Sequence, residues 1–433
     1  MIAEPTSPMK IAFFGYAWGS ARKIDAYMRE VVEAYGQLGF EVDVFLGNDF
    51  SADGIVTGFK SETDLARLAA HIRKQDYVAA VSINNSLLLP QIVEALDGRV
   101  VSVIVDGFNH LFSYDARDRF AAFRLPVHFA CIGSQFEREL LAEVPEIAGR
   151  VSLLSPATNG MLFERQTVAP AYPISWVASL PTDNTTAGFM SRLLDNPSAF
   201  AVVEACLRAI EATGDLKILM TQHAEVIEAL AAQIPMTFRT YETMLQNVVT
   251  ARQRVELVTR LAPHGLAVFG NREWARAMVL NKDVFGAFRP GPGASTHEDL
   301  MQIYNASLIS VNLPQSLISE SFQYRLLDVM SSNALLVTKR TPEPDLYRVF
   351  GADCPVPMYD SLAELEAICA HYLAHEDERR AVVAACNALV TPDFSFRSRC
   401  LDYLRLAGVD YQPPTAIAGV RKDVRFVTEQ EFA

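Results

Sequence analysis

Residues 303–340 read IYNASLISVNLPQSLISESFQYRLLDVMSSNALLVTKR and hold the residue types needed to bind an anionic ligand. The pattern is strand, loop, helix, strand, and the helix is expected to start near Glu320. Ser319 is suited to cap it, and Glu320 falls in its first turn, where an acid is favourable. The free N–H groups of such a start, around Glu320, Ser321 and Phe322, could hold a phosphate. Arg325 and Asp328 are three residues apart, so they can pair on one helix face.

Three other segments could carry chemistry. Gly270 and Arg272 follow a short apolar strand, and Arg289 stands beside a glycine- and proline-rich loop, AFRPGPGAS. The N–H groups of that loop could cradle a phosphate, or the loop could be a plain connector. Gly15 and Gly19, in GYAWGS, end the first strand and open a helix. They do not form the glycine fingerprint of a dinucleotide site, and a tight strand-to-helix turn accounts for them equally. Asp106 and His110, in DGFNHLF, follow the buried strand VVSVIV, where an acid or imidazole could act as a base. A helix cap and a surface histidine are the plainer reading of that pair. Asn84 and Asn85 end the neighbouring strand and could read hydroxyl groups or shape the turn. Trp274 is close enough to Gly270 to approach a base, although a core role suits tryptophan better.

These segments need a frame that brings strand ends together. Strand patterns recur near residues 10–16, 41–46, 77–83, 100–106, 127–132 and 150–154, with helical patterns between them. That alternation predicts an α/β fold with a doubly wound, parallel sheet. Residues 155–173 carry three prolines and little periodicity and read as a linker. A second alternating set follows, with strands near 174–178, 216–220, 266–269, 308–313, 334–338 and 356–358. The expected division is a Rossmann-like domain at 1–158, a linker at 159–173, a second Rossmann-like domain at 174–407, and a tail at 408–433 able to pack back on the first domain. Two such sheets place a cleft at their carboxyl ends.

Composition narrows the partners. The chain has 433 residues, a formal net charge of −13 and no strong Lys/Arg cluster, so nucleic acid is not an expected partner. No segment has the apolar length of a membrane span, and the N-terminus lacks a leader pattern. Six scattered cysteines without metal spacing read as buried thiols, which suits the cytoplasm.

The order of several short motifs resembles the CgeB-like (spore maturation protein) glycosyltransferases, relatives of the group 1 glycosyltransferases. The residues are Tyr304, Asn305, Ser307 and Asn312; Arg325 and Asp328; Asn333 and Ala334; Asp345 and Leu346; Tyr359, Asp360, Glu364 and Leu365; His371 to Arg379; and Arg399 to Leu404. Upstream, GLAVFGNREW at 265–274 is similar to the strand and turn before the nucleotide in that family. The likeness spans about residues 265–404. It implies a GT-B fold, two Rossmann-like domains facing a central cleft, and a hexosyltransferase-type enzyme. It also implies transfer of a sugar from a nucleotide-sugar co-substrate to a glycan, protein or small-molecule acceptor, with no cofactor and no metal. The donor would lie on the second domain and the acceptor on the first. Glu320 would lie near the donor sugar, and Arg325, Arg272 or Arg289 would meet the diphosphate, because a leaving diphosphate needs positive charge. Related retaining enzymes carry glutamates at both ends of an E-x7-E motif; the second position here is Asp328. Two other readings stay open: a nucleotide-sugar-binding protein of this shape without catalysis, and a nucleotide-sugar epimerase.

Overall fold

The computed structural model describes residues 9–17, 24–50, 62–105, 126–162, 168–182, 184–213, 238–290, 296–314, 322–413 and 424–428. Gly19, Asp106, His110, Ser319, Glu320 and Ser321 lie outside them, as does the strand expected at 216–220. The chain divides into two compact units. Unit 1 comprises residues 1–162, 321–327 and 390–433; unit 2 comprises 163–320 and 328–389.

Unit 1 is built on β1 (Lys10–Gly15), whose last five residues are all buried. A strand without polar alternation is covered on both faces, which is the mark of a parallel central strand. Helix α1 (Ala26–Gln37) starts where the Asp25 carboxylate accepts the Met28 N–H at 2.9 Å. It stops at Gly39, whose φ of 93° suits the left-handed turn that ends helices. The chain continues through β2 (Glu41–Leu46), α2 (Gly47–Phe50), α3 (Glu62–Lys74), β3 (Ala79–Ile83), α4 (Pro90–Ala95), β4 (Val100–Ile104), β5 (Val127–Cys131), α5 (Ser134–Glu143) and β6 (Val151–Leu153).

Unit 2 holds β7 (Tyr172–Val177), α6 (Asn184–Leu194), α7 (Pro197–Thr213), α8 (Phe238–Leu261), β8 (Leu266–Phe269), α9 (Trp274–Leu280), α10 (Lys282–Ala287), α11 (His297–Asn305) and β9 (Ser307–Asn312). Then come α12 (Tyr324–Met330), whose residues up to Leu327 belong to unit 1, β10 (Leu335–Lys339), α13 (Asp345–Phe350), β11 (Met358–Tyr359), α14 (Leu362–Ala374) and α15 (Glu376–Leu389). Its strands run parallel in the order β11-β10-β9-β7-β8. Ile174, Trp176, Val268, Ile309, Val311, Leu335 and Val337 from that sheet share one core with Trp274, Leu257 and Cys369 from the helices. A second core joins Phe189, Leu193, Val203, Leu207 and Leu245 of α6, α7 and α8.

The end of the chain belongs to unit 1. Helix α16 (Phe396–Leu406), expected with the second domain, lies against α1. The Tyr35 hydroxyl donates to the Cys400 carbonyl at 3.4 Å, and the Cys400 thiol meets the Val31 carbonyl at 3.6 Å. Strand β12 (Val424–Val427) then pairs parallel with β2, giving a seven-stranded sheet in the order β12-β2-β1-β3-β4-β5-β6. Local patterning cannot reveal this pairing, since Val424, Arg425 and Phe426 are exposed and only Val427 is buried.

A charged clasp holds β12. Arg425 reaches Asp43 on β2 through Nε at 2.8 Å and Nη2 at 3.0 Å, and the Tyr77 hydroxyl donates to the same carboxylate at 2.6 Å. Burial pushes the Asp43 carboxyl up, but the bonds from Arg425 and Tyr77 outweigh it and hold the group below its ordinary value. A depressed carboxyl stabilises the fold above its unfolded pKa and loses that contribution as pH falls through the folded value. The clasp should therefore loosen only below about pH 4. Arg425→Ala should weaken β12 docking by about 1–2 kcal/mol at neutral pH, read as faster amide exchange at residues 424–427.

All six cysteines are free thiols and buried. Burial pushes Cys206 up to about 11 and Cys369 up to about 12. We expect no labelling by a thiol reagent at pH 8 in the native state and full labelling after unfolding, because only the exposed thiolate reacts.

Candidate functional site

Open parallel sheets bind ligands where the strand order reverses, outside the carboxyl ends of the strands. In unit 1 that point lies between β1 and β3, and in unit 2 between β7 and β9.

At the β1/β3 point the chain takes unusual backbone conformations. Asn84 and Asn85 have φ of 51° and 60°, and Leu87 has φ 57°. Asparagine tolerates this left-handed region, whereas a bulky leucine there is strained. Polar bonds hold the turn. Asn84 Nδ2 donates to the Tyr16 hydroxyl at 3.1 Å, and Asn84 Oδ1 accepts the Val105 N–H at 2.9 Å. The Ser102 hydroxyl donates to Asn85 Oδ1, and the Ser86 hydroxyl donates to the Gly15 carbonyl at 2.8 Å. Asn84 and Asn85 thus brace the ends of β1, β3 and β4, immediately before Asp106. Gly15 is small for packing reasons: a Cβ there would stand 2.9 Å from the Phe13 ring and 3.1 Å from the Met28 sulfur.

At the carboxyl end of the second sheet, the loops after β7 and β8 are fastened to each other. A Cβ on Gly270 would stand 2.0 Å from the Ala178 carbonyl oxygen, so only glycine permits this approach. Asn271 accepts the Leu180 N–H at 2.7 Å and donates back to the Leu180 carbonyl at 3.2 Å. The Trp274 indole N–H donates to the Ala178 carbonyl at 2.7 Å. Trp274 is fully buried, edge-on to Trp176 at 6.0 Å, and so belongs to the core. Arg254, which the sequence gives no reason to single out, is buried in mid-helix. Its guanidinium donates to the Ser179 carbonyl and lies 5.9 Å from the Trp176 ring centre.

Two of the arginines expected at the diphosphate share one end of β8. After α10 the chain returns beside that strand, with the Arg289 N–H donating to the Val268 carbonyl at 2.9 Å. Arg272 and Arg289 are both exposed. The Arg289 guanidinium folds onto the Gly286 and Phe288 carbonyls at 2.7 and 3.2 Å.

The helix after β9 differs from expectation. It starts at Tyr324, not near Glu320, because Phe322 and Gln323 precede it in non-helical conformation and the Phe322 side chain is buried. Ser319, Glu320 and Ser321, expected at the helix start, lie outside the described residues. Tyr324 stacks on Tyr27 at 4.7 Å and on Phe396 at 5.9 Å, all within unit 1. Arg325 is half-buried. Asp328 is no surface residue: its side chain is 0% exposed, and Oδ1 lies 3.7 Å from His297 Nε2, itself 0% exposed. Thr296 caps α11 by accepting the Asp299 N–H at 3.0 Å, which sets His297 at the first helical position.

Most of the other motif residues hold the sheet together. The Asn312 amide donates to Thr338 at 3.0 Å, and the Asn305 side chain accepts the Asn333 N–H at 3.0 Å. The Tyr359 hydroxyl donates to the Asn312 carbonyl at 3.0 Å. Ser361 caps α14 by accepting the Glu364 N–H at 3.2 Å, while the Glu364 carboxylate accepts the Asp360 N–H at 2.7 Å.

Residues 239–405 match the family model described as "Glycosyl transferase-like". That segment is similar to glycosyl transferase-like domains. It runs from α8 into α16 and contains the Gly270–Asn271–Trp274 fastening, Arg325 and the Asp328–His297 pair. The enzyme class that goes with it is glycosyl transfer. No curated protein matches the chain. Among solved structures, a glycosyltransferase from Rickettsia africae ESF-5 is similar at 10% identity and a TM-score of 0.49, over 93% of this chain and 99% of that one. WaaG, a glycosyltransferase involved in lipopolysaccharide biosynthesis, is similar at 13% identity and a TM-score of 0.49, over 92% and 100%. T4 phage BGT, in complex with its UDP-glucose substrate, is similar at 10% identity and a TM-score of 0.43, over 92% and 98%. No helix among the described residues is long and apolar enough to cross a membrane, and no three His, Cys, Asp or Glu side chains among them are grouped as metal ligands.

Proposed function

We propose that this chain transfers a sugar from a nucleoside diphosphate donor to a glycan, protein or small-molecule acceptor, without a metal ion and in the cytoplasm. The match of residues 239–405 to the glycosyl transferase-like family carries the reading. The CgeB-like order of motifs is its finer form. The donor takes the carboxyl end of the second sheet, where Gly270 and Asn271 hold two strand-end loops rigid. Arg325, with Arg272 or Arg289, offsets the charge that grows on the diphosphate as its oxygen leaves the anomeric carbon with the bonding electrons. Asp328 acts indirectly, by bracing α12 against α11 from inside. The acceptor oxygen bonds to the anomeric carbon. In an inverting transfer Asp106 or His110 takes its proton; in a retaining one Glu320 lies beside the donor sugar.

The test is a thermal-shift screen of the full chain against UDP, GDP, CDP, ADP and dTDP and their sugar conjugates, with magnesium and with a chelator. A ligand bound only by the folded state raises the melting temperature. One nucleotide should give a shift that the chelator leaves intact. No shift with any of them overturns the donor assignment, and a shift that needs magnesium overturns metal independence. With the donor known, Arg325→Ala should lower turnover about a hundredfold with the melting temperature kept. Wild-type turnover in that variant removes Arg325 from the site.

A further inference from the structure

The helical hairpin α9–α10 carries its large apolar side chains on the wrong side for a buried element. Val279, Leu280 and Phe285 are 84%, 89% and 71% exposed, while Trp274, Val284 and Ala287 of the same hairpin are in the core. The turn between them is held firmly. Asn281 Oδ1 accepts the Asp283 and Val284 N–H groups at 2.9 and 3.4 Å, and its Nδ2 donates to Thr259 of α8 at 2.9 Å. The apolar tip is therefore presented on a braced scaffold and cannot collapse into the core.

Charge surrounds it selectively. Across residues 271–290 the exposed charged side chains are Arg272, Arg276, Lys282 and Arg289, whereas Glu273 and Asp283 are half-buried; one N–H of Arg276 also donates to the Thr182 carbonyl. Arg276 is four residues before Leu280, and Lys282 three before Phe285, so each cation shares a helix face with an apolar side chain. This stands out in a chain of net charge −13. We infer that the α9–α10 tip is a docking surface for an anionic lipid bilayer, with Val279, Leu280 and Phe285 entering the interface and Arg276 and Lys282 meeting the headgroups. An apolar tip ringed by cations has the chemistry of interfacial anchoring. A projecting tip of three side chains is also too small for a stable protein interface, which takes about 20–30 residues a side.

The experiment is co-sedimentation of the full chain with vesicles of phosphatidylcholine alone and of phosphatidylcholine mixed with phosphatidylglycerol. The wild type should partition onto the mixed vesicles, more weakly as salt rises, and less onto the neutral ones. Leu280→Ser with Phe285→Ser should cut that partition at least about tenfold. Lys282→Glu, which leaves the apolar tip intact, should weaken binding to the anionic vesicles alone. All these side chains are exposed, so the melting temperature should stay within about a degree or two. Absence of wild-type binding, equal binding to both vesicle types, or unchanged binding by the serine variant would overturn the inference. A wild type that sediments as a dimer and becomes monomeric in the serine variant would overturn it too, since a second copy would then be what covers the tip.

Discussion

Asp328→Ala should destabilise unit 2 by about 4 kcal/mol, among the larger losses a single substitution causes. The carboxylate and His297 face each other at 3.7 Å with both side chains fully buried. That separation is an electrostatic contact, longer than a hydrogen bond. Removing one member takes a buried ionisable neighbour from the other, whose desolvation it helps to offset. The loss should be read by urea unfolding followed by tryptophan fluorescence, because Trp176 and Trp274 both sit in the core of this unit. Asp328→Asn keeps shape and a polar contact and should cost about half as much. Asp328→Glu should cost about 1–3 kcal/mol, the usual cost of adding a methylene to a packed interior. A glutamate variant as stable as the wild type would show that the pocket has space and that the pair is not tightly packed.

Gly270→Ala should cost about 3 kcal/mol or more and weaken donor binding as well. The added methyl would sit 2.0 Å from a backbone oxygen, and a strand end cannot move aside as a flexible side chain can. The clash pushes the β8 end from Ala178 and strains the Trp274 bond to the same carbonyl. Near-ultraviolet circular dichroism should report it, because the Trp176–Trp274 pair would change its angle. In the reading proposed here, the same displacement moves the loops that carry the donor. A Gly270→Ala variant with native spectrum, stability and donor shift would remove the fastening from the account.

Strand β2 and strand β8 fall at the residues that patterning indicates, because continuous apolar runs bounded by turns leave little freedom. The helix after β9 does not. A serine and an acid in the right order suggest a start near Glu320, whereas the described helix begins at Tyr324. Burial of Phe322 and stacking of Tyr324 on Tyr27 and Phe396 decide that boundary, and both are tertiary. The motif residues themselves were visible, but their work was not. Asn305, Asn312, Tyr359 and Glu364 turn out to fasten strands and cap a helix.

The sequence by itself determined that this is an α/β protein of alternating strands and helices, that its parallel strands are buried, and that a glycosyltransferase pattern runs through its later half. The first two follow from periodicity and local turn chemistry, which act over a few residues; the third is a resemblance carried by the order of several short motifs. Only the tertiary structure decided that Asp328 faces inward to His297, that Gly270 is dictated by a neighbouring carbonyl, that the last strand returns to β2 through Asp43 and Arg425, and that three apolar side chains stand exposed on the α9–α10 tip. Each of these joins residues far apart in the chain or sets an exposure that packing alone assigns, and no local pattern encodes which distant group a side chain will meet.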